Sequence, residues 1–75
     1  MFLHEIFCKR LRDLRQQNNL TLEQLGAKFS VTKQTVSHWE KGDRLPPLDM
    51  ATALAEYFNV SLDYLAGLSD NPKRR

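Results

Sequence analysis

Five side chains between Thr32 and Gly42 can donate hydrogen bonds from one side of a helix. Placed at about 100° per residue, they fall within an arc of roughly 140°. They are Lys33, Gln34, Ser37, His38 and Lys41, and no acid lies among them. Such a face suits an anionic surface rich in acceptors, and the DNA major groove is the leading candidate. The alternative is an ordinary solvated helix face, which a polar pattern alone does not exclude.

The ends of this helix are marked in the sequence. Thr32 is a good N-cap, because its hydroxyl can accept a hydrogen bond from a free backbone N–H of the first turn. Gly42 can adopt the left-handed conformation that ends helices. Val36 and Trp39 lie on the side opposite the donors, so we expect that side to pack against the protein. The segment is therefore predicted to be a short helix with one apolar side.

A second short helix is predicted just before it, over residues 22–29. Thr21 and Gln24 have the spacing of a capping box at its start, and Leu25 and Phe29 are its expected core residues. The two helices lie only about three residues apart, which is the connection length of a helix-turn-helix. Such a connection makes the helices cross steeply, so the second one can enter a groove about 12 Å wide.

The N-terminal part of the chain predicts a further helix, over residues 4–18. Apolar residues recur at spacings of four, four and three, as on one face of a helix; they are Leu3, Phe7, Leu11 and Leu14. The remaining positions are predicted to form a solvated face, and Arg10 is among them. Asn18 and Asn19 are expected to end the helix, because asparagine tolerates turn conformations.

Two more helices are predicted after the prolines of DRLPP, which end any helix before them. The fourth helix spans residues 48–58, and its inward residues are predicted to be Leu48, Ala51, Leu54, Ala55 and Phe58. The fifth is capped by Ser61 and closed by Gly67, with Leu62 and Leu65 inward. Residues 1–68 are thus predicted to form one domain and residues 69–75 a basic disordered tail. The basic residues of this tail, Lys73, Arg74 and Arg75, are interpreted as solvated rather than as phosphate contacts.

Length and composition are those of a small soluble domain. The chain has 75 residues, of which 41% are hydrophobic and 27% are charged, so a single domain with a modest core is expected. No apolar run is long enough to span a membrane. The N-terminus lacks the apolar centre of a signal peptide. These observations predict a cytoplasmic protein that does not bind membranes.

No pattern in the sequence points to catalysis or to a cofactor. A zinc site needs about four ligands, and Cys8, His4 and His38 do not have the required spacing. A Gly-rich phosphate loop and a nucleophile motif are both missing. Cys8 is the one cysteine and is expected to be a buried or half-buried apolar residue. We therefore predict no enzyme activity, no metal, no cofactor and no small-molecule ligand.

Charge is distributed unevenly along the chain, although the net charge is only +2. Residues 46–70 contain four acids and no Lys or Arg. The basic residues of the central part are Lys28, Lys33, Lys41 and Arg44, against Glu40 and Asp43. This asymmetry fits a protein that turns one face toward nucleic acid.

The central segment resembles the Cro/repressor helix-turn-helix family, also called the xenobiotic-response-element type, and reads LTLEQLGAKFSVTKQTVSHWEKGDRLP. Its most specific marks are Thr21 to Leu25, Val36, Trp39, Glu40, Gly42 and Pro46, with Arg15 six residues before Thr21. The later segment LAEYFNVSLDYLAG is similar to the usual ending of the family, so the resemblance extends from Leu11 through Gly67. It implies an all-α, five-helix, lambda-repressor-like DNA-binding domain with a central helix-turn-helix.

The resemblance also implies roles for individual residues. Base contacts are implied for Lys33, Gln34 and His38. Phosphate or neighbouring contacts are implied for Thr32, Thr35, Ser37, Lys41 and Arg44. Gln34 can pair bidentately with adenine, and Lys33 can donate to guanine O6 and N7. His38 can donate to a purine acceptor or lie against a thymine methyl. Finally, the resemblance implies a partly buried salt bridge between Arg15 and Glu40.

Two positions depart from the family pattern. Leu22 stands where relatives often carry a Gln that contacts the DNA; a leucine cannot donate this bond, although backbone N–H groups at the helix start could still meet a phosphate. Ser30 stands where many relatives have a Gly in the turn. Because a left-handed conformation is costlier for a residue other than Gly, we expect this turn to be adjusted or slightly strained.

The function implied by the resemblance is sequence-specific regulation of transcription on double-stranded DNA, and repression is favoured because it needs only occupancy of an operator. Relatives bind pseudo-palindromes as dimers with half-sites about one helical turn apart, and we expect a homodimer here. Its surface is predicted on the fifth helix and on Tyr64, Leu65 and Leu68. The protein is expected to be encoded by a bacterium or a phage. Both a complete small repressor and the DNA-binding half of a longer one fit this sequence.

Two other functions remain as alternatives. The same fold serves as a protein-interaction module, such as an antitoxin that sequesters a partner protein and autoregulates its promoter. That function would require a long exposed apolar strip on the first helix or the tail, and the sequence shows none. RNA binding would require exposed aromatic residues for base stacking, and Trp39 lies on the core side of its helix.

Overall fold

The computed structural model describes residues 4–73. Within them the chain forms five α-helices and no strand. The helices are α1 His4–Gln17, α2 Leu22–Lys28, α3 Lys33–Lys41, α4 Leu48–Tyr57 and α5 Leu62–Ala66. The predicted all-α class and the five predicted helices are confirmed, and three of the C-terminal bounds fall one residue earlier than expected. Leu3, Arg74 and Arg75 lie outside the described residues.

Three helices begin with the side-chain caps that the sequence predicts. In the capping box of α2, Thr21 Oγ1 accepts from the Gln24 N–H at 3.0 Å, and Gln24 Oε1 accepts from the Thr21 N–H at 2.9 Å. Ser61 Oγ accepts from the Tyr64 N–H at the start of α5. Thr32 caps α3 in the same way. Each cap satisfies a backbone donor that the first turn leaves without a partner.

All five helices of residues 4–73 end in the same manner, at a residue with positive φ. These residues are Asn19 (57°), Ser30 (58°), Gly42 (84°), Asn59 (56°) and Gly67 (87°). In each case the next N–H returns to the carbonyl five residues back, as Val31 N–H does to Gly26 at 2.9 Å. This is the Schellman pattern, which satisfies the last carbonyls and reverses the chain. At Ser30 the turn keeps the left-handed conformation that glycine favours, so a serine carries the conformational cost.

The core lies where the five helices meet. Its fully buried side chains come from every helix; the largest are Phe7, Leu11, Leu25, Val36, Leu54 and Leu65. Leu14, Trp39, Ala51, Ala55 and Phe58 are also buried, as predicted, whereas Phe29 and Leu62 are partly buried at the edge. These buried side chains, from Phe7 in α1 to Leu65 in α5, form one continuous apolar cluster.

Two predictions about apolar side chains are wrong. Leu48 was placed in the core, but it is 73% exposed. It is the first residue of α4, and because helical side chains lean toward the N-terminus, it points past the end of the helix. Leu65 is fully buried in the core cluster, so the prediction that it points inward is confirmed and the prediction that it belongs to a dimer surface is wrong. Leu68 is 53% exposed and remains available to a partner.

Arg10 is not part of a solvated face, contrary to the prediction. Its Nη1 donates to the backbone oxygens of Tyr64 and Ser69, and its Nη2 forms an ion pair with Asp70 at 3.0 Å. The guanidinium carbon lies 4.0 Å from the centre of the Tyr64 ring. Arg10 therefore joins α1 to the end of α5 and to the segment that follows it.

The segment after α5 makes two further hydrogen bonds to the start of that helix. The Ser61 N–H donates to the carbonyl of Pro72 at 2.9 Å, and the Ser61 hydroxyl donates to the carbonyl of Asn71 at 3.5 Å. The division into a domain over 1–68 and a disordered tail over 69–75 stays a prediction. In the structure, residues 69–72 lie against α1 and α5.

We expect Arg10→Ala to release this segment. The substitution removes three hydrogen bonds from a charged donor and one cation–π contact, which together stabilise by about 1–2 kcal/mol when partly exposed. Hydrogen exchange at the Ser61 amide should become faster, because its acceptor is Pro72. Arg12→Ala is the matched control, since Arg12 is an exposed arginine on the same helix. Equal exchange rates in the two variants would show that Arg10 does not hold the segment.

Candidate nucleic-acid interface

Helices α2 and α3 pack together across a connection of residues 29–32. Gly26 lies buried near the end of α2, directly against this connection. A Cβ atom at this position would lie 2.6 Å from the carbonyl oxygen of Val31 and 3.2 Å from the carbonyl carbon of Thr32. The missing side chain therefore lets the connection fold tightly over α2, and this contact sets where α3 begins.

Helix α3 has the two sides that the sequence predicts. Val36 and Trp39 are buried in the core. On the other side, Lys33, Gln34 and Lys41 are exposed, and Ser37 and His38 are half-buried. Because Trp39 is buried, it is not accessible for stacking on bases. The exposed side of α3 therefore presents amine, amide, hydroxyl and imidazole groups to the solvent.

The N-terminus of α3 is organised by two threonines. Thr32 Oγ1 accepts from the Thr35 N–H at 3.2 Å and lies 3.1 Å from Thr35 Oγ1. Thr32 is exposed and Thr35 is half-buried. Each hydroxyl keeps additional hydrogen-bonding capacity. The two threonines thus cap the helix and can still meet a ligand at its N-terminal end.

Arg15 and Glu40 form a bidentate ion pair between α1 and α3. Arg15 Nε donates to Glu40 Oε2 at 2.6 Å, and Nη2 donates to Oε1 at 3.0 Å. Arg15 Nη1 donates to the carbonyl of Leu20 at 2.8 Å. The side chains are only 13% and 7% exposed. The pair that the resemblance implied is therefore present, and it turns the one acid of α3 inward, away from the donor side.

His38 is paired with Asp43, a residue beyond the end of α3 for which the sequence pattern predicts no role. His38 Nδ1 lies 3.1 Å from Asp43 Oδ2. Both side chains are about half exposed, at 43% and 57%. The signal was available, because an acid one residue after a helix-ending glycine is brought back toward the last turn. This pair places a carboxylate at the C-terminal edge of the donor side.

The family model described as helix-turn-helix matches residues 11–65, which include α2, the connection and α3. The chain belongs to this helix-turn-helix family. The match starts in the middle of α1 and ends inside α5, so it covers most of the buried core as well as the two central helices.

Several relatives are similar over almost the whole chain. YobD, an HTH-type transcriptional regulator of Bacillus subtilis, is 42% identical over 89% of this chain and 60% of its own length. ImmR, another HTH-type regulator of B. subtilis, is 32% identical over 88% of this chain and 52% of its own. RstR, a cryptic phage CTXphi transcriptional repressor of Vibrio cholerae, is 31% identical over 87% of this chain and 59% of its own length. The chain thus spans less than two thirds of the length of each of these relatives.

Two basic residues lie at the C-terminal end of α3 and just beyond it, and an apolar residue begins α2. Lys41 and Arg44 are exposed, so their charges are available to a polyanion. Leu22, at the start of α2, is partly buried and packs against the core. The position where relatives often carry a Gln thus contributes packing here, and only its backbone is left for a phosphate.

In residues 4–73, no group of three or more His, Cys, Asp or Glu side chains could hold a metal ion. Cys8 is half-buried, and its Sγ donates to the carbonyl of His4 at 3.0 Å. In the same residues, no helix is long and apolar enough to cross a membrane.

Proposed function

We propose that this helix-turn-helix protein is a transcriptional regulator of the bacterial or phage-infected cytoplasm, and that it represses by occupying an operator. The observation that carries the proposal is the two-sided α3, which buries Val36 and Trp39 and exposes polar and basic side chains without an acid. The relatives support it, because YobD and ImmR are named as transcriptional regulators and RstR as a phage repressor. In this proposal α3 enters the major groove, which an α-helix fits.

Three side chains of α3 are proposed to contact bases. Gln34 suits adenine, because its amide can donate to N7 and accept from N6, and Lys33 suits guanine O6 and N7. His38 lies one turn beyond Gln34 and would meet the next exposed base edge. Phosphate or neighbouring contacts are proposed for five residues along and beside the helix: Thr32, Thr35, Ser37, Lys41 and Arg44. Phosphate contacts position the protein, whereas base contacts select the sequence.

The operator is proposed to be pseudo-palindromic and bound by two copies of the protein. One α3 can read only a few base pairs, because each good bidentate contact contributes about 1–3 kcal/mol of discrimination. Two copies related by a two-fold axis double the number of base pairs that are read, and they place the half-sites about ten base pairs apart. Within the described residues, the exposed Leu68 is an apolar side chain that a partner could cover.

Selection of bound duplexes from a random DNA pool, at two salt concentrations, tests this proposal. An enriched inverted repeat with half-sites about ten base pairs apart would support a dimeric, sequence-specific regulator. Weak binding with no enriched sequence and a steep salt dependence would indicate phosphate affinity alone. That result would refute the proposed function.

We expect Gln34→Ala and Lys41→Ala to weaken binding in different ways. Gln34→Ala should weaken the selected site by about 1–3 kcal/mol while leaving random DNA unaffected, because it removes a base contact. Lys41→Ala should weaken both alike and lower the salt slope by about one, because it removes a phosphate contact. Titrations of both duplexes at several salt concentrations measure these effects.

Lys9→Ala provides the control for charge, because Lys9 is an exposed lysine on α1. It should change the affinity for either duplex little. If Gln34→Ala and Lys41→Ala behaved identically on the two duplexes, the assignment of base and phosphate roles would be wrong.

The interaction-module alternative finds no support in α1. An antitoxin-like partner surface would require exposed apolar side chains along this helix, but Phe7, Leu11 and Leu14 are buried and Ile6 is half-buried. Phe7, Leu11 and Leu14 thus belong to the core of the protein itself, and the half-buried Ile6 alone does not form a long apolar strip.

A further inference from the structure

The turn at the end of α3 brings Asp43 back against His38. Gly42 has φ of 84° and reverses the chain, so the N–H groups of Gly42 and Asp43 both donate to the carbonyl of His38 at 3.1 Å. The Asp43 side chain then lies beside the imidazole, with Oδ2 3.1 Å from Nδ1. Backbone hydrogen bonds therefore hold the Asp43 backbone beside the last turn of α3, within reach of the imidazole.

The pair determines which nitrogen of His38 is left for a ligand. An ionised carboxylate can only accept hydrogen bonds, so the proton between the two groups is assigned to Nδ1. Nδ1 and Nε2 flank Cε1 of the imidazole ring, and their hydrogen-bonding directions diverge widely. When Nδ1 is turned toward Asp43, Nε2 is directed away from it and remains available. The ring thus has one engaged nitrogen and one nitrogen that is free to meet a base edge.

We infer that Asp43 is a positioning residue for base recognition: it holds the His38 ring so that Nε2 meets one base pair of the operator. This inference rests on the proposed function and adds to it a residue that touches no base. Without the carboxylate, the half-exposed ring would rotate between orientations, and binding would have to order it. Ordering one side chain at an interface weakens binding by a few-fold to about tenfold.

A purely structural role for the Asp43 side chain explains the pair less well than orientation of the His38 ring does. The turn is held by backbone hydrogen bonds to the His38 carbonyl, and a hydrogen bond between two half-exposed side chains adds only modestly to stability. A carboxylate near the phosphates would by itself oppose binding. The pair is therefore better explained by the orientation of His38 than by the stability of the fold.

The experiment compares base preferences of variants at every position of the operator that the random-pool selection returns. His38→Ala first identifies the base pair whose preference depends on the imidazole. Asp43→Ala removes both the charge and the acceptor, whereas Asp43→Asn removes the charge and keeps an acceptor oxygen. The double variant that combines Asp43→Ala with His38→Ala completes a double-mutant cycle, which isolates the coupling between the two side chains. Thermal unfolding of each variant checks that the fold is unchanged.

We expect Asp43→Ala to lower the preference at that one base pair by roughly three- to tenfold, while the preferences read by Lys33 and Gln34 remain. Asp43→Asn should keep most of the preference, and Asp43→Ala should add nothing in the His38→Ala background. The inference is overturned if Asp43→Ala leaves the preference intact, if Asn and Ala have the same effect, or if the loss persists without His38. Failure of the proposed function looks different, because the unsubstituted protein would then select no sequence at all.

Discussion

Glu40→Ala is expected to lower the free energy of unfolding by about 3 kcal/mol, because it leaves a buried charge without its partner. Arg15 is 13% exposed and directs two of its three donor groups to Glu40, at 2.6 and 3.0 Å. Only the bond to the Leu20 carbonyl would remain. For a domain of this size that loss is a large part of the total stability. Urea unfolding followed by circular dichroism measures it.

Two further variants distinguish the effect of breaking the Arg15–Glu40 pair from the effect of removing one negative charge. Glu23→Ala removes the same charge from an exposed position in the first turn of α2 and should cost well under 1 kcal/mol. The double variant Arg15→Met with Glu40→Leu should recover most of the lost stability, since apolar side chains of similar volume often replace buried ion pairs without loss. If Glu40→Ala were no more destabilising than Glu23→Ala, the pair would contribute nothing to the connection between α1 and α3.

Local features of this fold could be predicted from the sequence because local residues determine them. The capping box at Thr21 and Gln24 and the helix ends at Gly42 and Gly67 depend on residues only a few positions apart. The two sides of α3 follow from helical periodicity, which also placed Trp39 inside. The Arg15–Glu40 pair spans 25 positions; it was expected from the family resemblance, and periodicity placed only Glu40 near the core.

The errors come from contacts that join distant parts of the chain and from the ends of helices. Arg10 is 54 positions from Tyr64, so periodicity within α1 could not show that they meet. Leu48 matches the period of α4, but it lies at the first residue, where no preceding turn is present to cover it. Leu65 is correctly predicted to point inward, but naming it also as part of a dimer surface on the five-residue α5 is wrong, because a fully buried side chain is not accessible to a partner. Asp43 follows α3, so helical periodicity does not include it; its one signal is its position directly after Gly42, whose turn brings it to His38.

Gly26→Val is expected to destabilise the protein by about 3 kcal/mol and to abolish binding to the operator. The added side chain would start 2.6 Å from the Val31 oxygen and 3.2 Å from the Thr32 carbonyl carbon. These are backbone atoms, so a rotamer change cannot relieve the contact. Because Thr32 caps α3, moving this backbone displaces the start of the helix that carries Lys33 and Gln34. Urea unfolding and operator titration, scaled to the folded fraction, measure the two effects.

Ala27→Val is the matched control, since it adds bulk at the next residue of the same helix, where the side chain is exposed. Helix propensity alone predicts that Ala27→Val lowers stability by about 0.6 kcal/mol. By the same measure, replacing a helical glycine by valine should raise stability by a few tenths of a kcal/mol. Helix propensity therefore predicts that Ala27→Val is the less stable variant, whereas the close contact at Gly26 predicts that Gly26→Val is. If Gly26→Val proved as stable as Ala27→Val, the connection would be able to move away from α2, and the position of α3 would depend mainly on Val36, Trp39 and the ion pair of Glu40 with α1. Loss of operator binding in the folded Gly26→Val protein, with binding retained in Ala27→Val, would instead show that the close contact at Gly26 sets the geometry that α3 needs on DNA.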